Sequence, residues 1–298
     1  MAVYHVIRSN VAGMSEAEAH ALLAQAEKAA TTRGWFSSPK HSQAAELYAK
    51  AANIFKLTKN LHAAGDALTQ SAAQHIMAGD RDDAAPAFAN AAKCYRKGHP
   101  QDAISALRQS IEILTDAGRF HQAAGQMKTV AEIYESDLVD LPQAMKSYET
   151  AAEWYETEES ASLASACWLK VATFAAQLEH YDRAISIFEL VAQDALSSQL
   201  TRYSVKEYLF KAALCQLCTG DSVSVQRALQ RYADLDPSFQ TTREFAFIKA
   251  LTEAVDAGDV DAFTGEVIKF DDLSKLDPWK TTLLLRVKRA IGEEPALT

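Results

Sequence analysis

A beat of small residues about twenty positions apart limits what this chain can fold into more than any other feature. Residues 43–55 read QAAELYAKAANIF and residues 83–95 read DAAPAFANAAKCY. Ala44 falls on Ala84, Tyr48 on Phe88, Ala51 and Ala52 on Ala91 and Ala92, and Phe55 on Tyr95. The pattern returns over residues 143–155 and, more weakly, over 183–192. Taking the first small residue of each segment gives Ala44, Ala63, Ala84, Ala103, Ala123, Ala144, Ala164 and Ala184. Their successive spacings are 19, 21, 19, 20, 21, 20 and 20. One beat is a helix of about 16 residues plus a turn, and two beats make an antiparallel hairpin of about 40 residues.

The spacing has a physical reason. Small residues at i, i+7 and i+8 let helices approach closely, while Tyr or Phe at i+4 and i+11 fills the gaps between layers. Breakers mark the turns at Lys59 with Asn60, Gly79 with Asp80, Gly98 to Pro100, Ala117 with Gly118, Leu141 with Pro142, and Glu158 to Ser160. Composition agrees: 55 alanines stand against 11 glycines and 7 prolines. After residue 200 the beat fades and larger apolar residues cluster. Helical patterns continue over about 202–219, 223–234, 241–257, 260–273 and 279–291. The expected fold class is therefore all-α. It is a solenoid of tetratricopeptide-like hairpins over 15–200, capped by a helical bundle over 201–291, with about fourteen helices in total. Residues 1–14 read as a weakly ordered leader, residues 31–42 as a long loop and residues 292–298 as a flexible tail.

The formal net charge is −9, which argues against nucleic acid as a partner. The imbalance is late. Residues 1–150 hold 15 basic and 16 acidic side chains, and residues 151–298 hold 15 and 23. The second half would attract a basic partner. No apolar run is long enough to span a bilayer, and four cysteines without a regular framework suggest a reducing compartment. A cytoplasmic protein is expected.

Nothing here reads as catalytic. The eight histidines are scattered, none in an HExxH arrangement, and neither a metal site nor a cofactor is expected. Cys215 and Cys218 form a single CxxC inside a helical run, which suits buried thiols on one face better than a zinc site needing four ligands. Asp80, Asp82 and Asp83 read as a helix N-cap and first-turn acids. Trp35 and Phe36, adjacent large aromatics in the long first loop near Arg33 and Lys40, suit either an interfacial anchor or a fold back onto the first hairpin.

Longer strings carry more. AANIFKLTKN with AAGDAL, DAGRFHQAA with AEIYESDLVD, KSYETAAEWYETEES, YSVKEYLFKAALCQLC, and KLDPWKTTLLLRVKRAI before a tail ending in Leu297 and Thr298 stand in one order and spacing. Together they resemble the soluble NSF attachment proteins (SNAP family), nearest the alpha and beta type, from about Ser15 onward.

That resemblance implies an adaptor without an active site, working in vesicle fusion. Such an adaptor binds assembled syntaxin-type SNARE four-helix bundles in several copies. It recruits and stimulates the hexameric ATPase NSF for their disassembly, and it associates peripherally with membranes through the N-terminal loop. SNARE-binding positions implied by the match are Lys59, Arg119, Lys128, Lys170, Leu200, Arg202, Tyr203 and Lys206. Gly125 and Ala166 stand where relatives carry lysine, so the clamp is expected to be weaker or shifted. Membrane attachment falls on Trp35 and Phe36. NSF binding and activation fall on Asp221, Glu253, Asp256, Glu293, Glu294 and Leu297. A generic repeat scaffold gripping a peptide carboxylate remains the alternative, although no 34-residue consensus supports it.

Overall fold

A computed structural model describes residues 2–32 and 40–293, with side chains over 16–32 and 40–292. All regular structure among them is helical. The elements are α1 (Ala2–Thr31), α2 (His41–Leu57), α3 (Leu61–Ala78), α4 (Arg81–Tyr95), α5 (Pro100–Asp116), α6 (Phe120–Ser136) and α7 (Leu141–Thr157). They continue with α8 (Ala161–Gln177), α9 (Tyr181–Leu196), α10 (Val205–Cys218), α11 (Ser222–Leu235), α12 (Arg243–Asp256), α13 (Val260–Leu273) and α14 (Pro278–Glu293). Single 3₁₀ turns occupy Arg202–Ser204 and Phe239–Thr241. The all-α hairpin architecture is as expected. No helix among the described residues is long and apolar enough to cross a membrane.

The repeating residues do what their spacing requires. Ala44, Tyr48, Ala51, Ala52 and Phe55 are all buried on α2, and the equivalent sets on α4, α7 and α9 are buried likewise. Close approach also lets buried hydroxyls tie the helices of a hairpin together. Ser71 donates to the Ala45 carbonyl at 2.8 Å, and Ser110 donates to the Ala85 carbonyl at 2.7 Å. These are equivalent bonds one hairpin apart.

The beat is visible in the backbone too. Lys59, Gly79, Gly118, Val139, Glu159 and Glu179 all adopt positive φ in the turns between helices. Glycine takes this left-handed conformation freely, whereas the β-branched Val139 at φ 55° bears strain.

Two local expectations need correction. Leu141 and Pro142 are the first two residues of α7 rather than turn residues, because the missing N–H of proline costs nothing in a first helical turn. The turn lies just before them. Asp80 sits at the N-cap of α4, but its side chain makes no cap bond. Its carboxylate meets the Ser42 hydroxyl at 3.5 Å instead. The backbone of residues 2–14 is helical and continuous with α1.

Two compact units emerge, divided between Ala164 and Ser165. The expected border at 200/201 lies later than this division. In the first unit each helix from α1 to α7 packs on its chain neighbours. In the second, α10 is central and packs against α9, α11, α12 and α14. The earlier border follows from bonds that reach back in sequence. The Trp279 indole N–H of α14 donates to the Thr173 carbonyl at 3.0 Å. The Arg286 guanidinium donates to the Ala176 and Gln177 carbonyls at 2.9 and 2.8 Å and to the Tyr181 hydroxyl at 3.2 Å. Arg286 thus caps the carboxyl end of α8, where the last carbonyls of a helix lack intrahelical partners. That ties α8 and α9 to the C-terminal helices.

Candidate functional site

In the first unit the positions implied for SNARE binding are dispersed. Lys59 lies exposed in the α2–α3 turn, in the left-handed conformation. Arg119 immediately precedes α6, in the α5–α6 turn. With antiparallel neighbours, these two turns emerge at opposite ends of the hairpins. Lys128 is half-buried along α6. Arg119 is already engaged: its guanidinium meets the Asp82 carboxylate of α4 at 2.9 Å. Both partners are substantially exposed, so the pair contributes little to stability and is open to exchange.

The second unit gathers its positions more tightly. Leu200, Arg202, Tyr203 and Lys206 fall within seven residues, in the connection from α9 and the first turn of α10. All four are exposed, Leu200 at 83% and Tyr203 at 78%. Two large apolar side chains are thus left in water beside two cations. Lys170 is exposed on α8, with its ammonium 5.8 Å from the Phe174 ring centroid. Among the described residues, Lys59, Lys128, Arg202 and Lys206 have no ion-pair partner.

The acidic positions divide into two kinds. Asp221 is the N-cap of α11 and accepts from the Ser224 amide at 3.1 Å and its hydroxyl at 2.5 Å. Those bonds, the hydroxyl first, hold the Asp221 carboxyl below the usual aspartate range. Its presence has a structural reason. Glu253 and Asp256 do not share it. They are exposed one turn apart at the carboxyl end of α12, a helix with no basic residue in its last turn. Like charges at this spacing repel each other and the negative end of the helix dipole. Among the described residues neither has an ion-pair partner. The Glu293 side chain, Glu294, Leu297, Trp35 and Phe36 lie outside the described residues.

Cys215 is buried and Cys218 half-buried on α10. Burial pushes both thiols up, Cys218 to about 12, so neither is a nucleophile at neutral pH.

A family model described as "Soluble NSF attachment protein, SNAP" matches residues 17–292. The chain belongs to the SNAP family. The alpha-soluble NSF attachment protein of Mus musculus is 46% identical over 289 residues, covering 95% of this chain and 98% of that one. The beta-soluble NSF attachment protein of Bos taurus is 43% identical over 282 residues, covering 93% and 94%. The vesicular-fusion protein SEC17 of Coprinopsis cinerea is 46% identical over 283 residues, covering 94% and 98%.

Two features of this SNAP family chain escape a reading of its sequence. One is the Arg119–Asp82 pair, because the two residues lie in different hairpins. The other is Gly125, one of the two expected departures. A Cβ there would meet the Tyr155 hydroxyl at 3.4 Å, an ordinary contact. Ala166, the second departure, is exposed on α8 and leaves its surface without the charge a lysine would bring.

Proposed function

We propose that the chain is a non-enzymatic adaptor in vesicle fusion. In this reading it binds assembled SNARE four-helix bundles, several copies to a bundle. It recruits and stimulates the ATPase NSF, which then pulls the bundle apart. The observation that carries the reading is the match to SNAP and SEC17 proteins along nearly the whole chain. The exposed Leu200–Tyr203 patch with its two cations, and the unneutralised acids on α12, support the assignment of one surface to the bundle and another to the ATPase. Weak contacts repeated over several copies give avidity without any single strong bond. A reconstituted disassembly assay with NSF, ATP and a SNARE complex tests the proposal. Absence of any stimulation by the added chain would sink it.

Charge reversal of Arg119 and Lys206 together is expected to weaken bundle binding while leaving the helical content unchanged. Each exposed ion pair contributes only ~0.2–1 kcal/mol, so the double variant is the informative one. The loss should shrink as salt rises. Because Arg119 already pairs with Asp82, an Asp82→Ala variant, which frees the guanidinium, is expected to bind at least as well as wild type. A pull-down at low salt that cannot tell the double variant from wild type removes these cations from the surface.

The same reading places the chain in the cytoplasm, attached to membranes peripherally through Trp35 and Phe36. Exchanging both for serine should reduce liposome flotation and activity on membrane-embedded SNAREs, while sparing soluble ones. Each ring contributes roughly 1.5–3 kcal/mol if fully inserted. Unchanged flotation together with a lowered melting temperature would instead make the two rings part of the core.

A further inference from the structure

Apart from these surfaces, the fold brings three potential metal ligands together. His62, His99 and Asp102 offer ligand atoms that all lie within 4.8 Å of one another. His62 is in the first turn of α3, His99 directly precedes α5, and Asp102 is in the first turn of α5. The repeat is what joins them. The α2–α3 and α4–α5 turns sit at the same edge of the solenoid, one hairpin apart. The two imidazole centroids are 4.2 Å apart, with ring planes at 61°. Both rings are about half exposed, 48% and 50%, so a dissolved ion can reach them.

A support chain stands behind the first ligand. The hydroxyl of the buried Tyr95 donates to Asp66 Oδ1 at 2.7 Å. Asp66 Oδ2 lies 3.1 Å from His62 Nδ1. A carboxylate that accepts a hydrogen bond from Nδ1–H fixes the ring and leaves Nε2 with its lone pair, as in carboxylate–histidine–metal triads. On the other hairpin, Asp102 Oδ2 is 3.7 Å from His99 Nδ1. Two carboxylates beside two imidazoles supply negative charge for a dication.

We propose that His62, His99 and Asp102 form a binding site for Zn²⁺, with water completing the coordination sphere. Imidazole nitrogen and carboxylate oxygen are ligands zinc accepts, and three protein ligands plus water suit its tetrahedral preference. Rotation of exposed side chains closes the remaining distance. The bound ion staples α3 to α5 across α4 and so joins two successive hairpins. None of this depends on which partner the adaptor serves.

The test is calorimetric titration of ZnCl₂ into the untagged full chain after treatment with a chelator. One equivalent is expected to bind, and the melting temperature should rise with zinc concentration. Outer-shell partners of metal ligands alone are worth ~10–100-fold in affinity, so His62→Ala or His99→Ala should weaken binding by at least ~100-fold and Asp66→Asn by ~10-fold. His121→Ala, an exposed histidine elsewhere, should change nothing. In the unaltered protein, zinc should shift two imidazole NMR resonances, which are those missing from the two alanine variants. No uptake of zinc, or uptake indifferent to both substitutions, overturns the site.

Discussion

Replacing Gly65 by alanine is expected to lower the stability of the first unit by about 1–3 kcal/mol, the usual range for forcing one methyl group into a filled core. A Cβ at position 65 would stand 2.5 Å from Tyr95 Cε1 and 2.7 Å from Cδ1 and Cζ. The ring cannot step aside cheaply. Its hydroxyl is bonded to Asp66 at 2.7 Å and near Thr69 at 3.4 Å, and α3 and α4 pack directly on each other. Burial also pushes the phenol above its ordinary range, so it remains a donor to Asp66 at any ordinary pH. Urea unfolding is the measurement. In a Tyr95→Leu background the same glycine change should cost much less, since the clash has lost its partner. Equal losses in both backgrounds would show that the ring is not what requires glycine.

Leu297→Ala is expected to remove most stimulation of NSF while leaving the fold and SNARE binding intact. Leu297 is a lone large apolar side chain following Gly292, Glu293, Glu294 and Pro295. The family resemblance assigns a penultimate leucine to activation of the ATPase. Under the proposed function Leu297, after Glu293 and Glu294, takes that role. ATPase rate and disassembly rate should fall together, whereas recruitment of NSF should change little. A variant that disassembles SNARE complexes at the wild-type rate would make the leucine an inconsequential terminal residue.

The solenoid was legible because its information is local. Ala44, Tyr48, Ala51 and Phe55 sit on one helix face, and their period alone predicts their burial. Helix ends were less legible. Pro142 serves equally well as a turn residue or as a helix start, and Asp80 has the right type for a cap but turns toward Ser42. The unit border was hidden for a different reason. It depends on Trp279 and Arg286 finding carbonyls 106 and 110 positions earlier, and no spacing rule reports such a pair. The proximity of His62, His99 and Asp102 was hidden likewise. As residue types they carry no local motif, and their proximity is created by the stacking of hairpins. The strings of the family resemblance implied which residues would bind. They could not indicate that Arg119 is held by Asp82 or that Asp221 caps α11.

The bonds from α14 to α8 also decide how load would travel. Traction on the chain beyond residue 293 runs along α14, whose own hydrogen bonds lie parallel to its axis. The bonds that Trp279 and Arg286 make to the carboxyl end of α8 cross between helices, and a pull along α14 loads them sideways. Once the guanidinium slips, α8 loses the group covering its last carbonyls and its final turn is free to fray. The seam between α14 and α8 is thus one place where tension is resisted across helices, and Arg286→Lys, which keeps the charge but loses the planar fork, should lower that resistance.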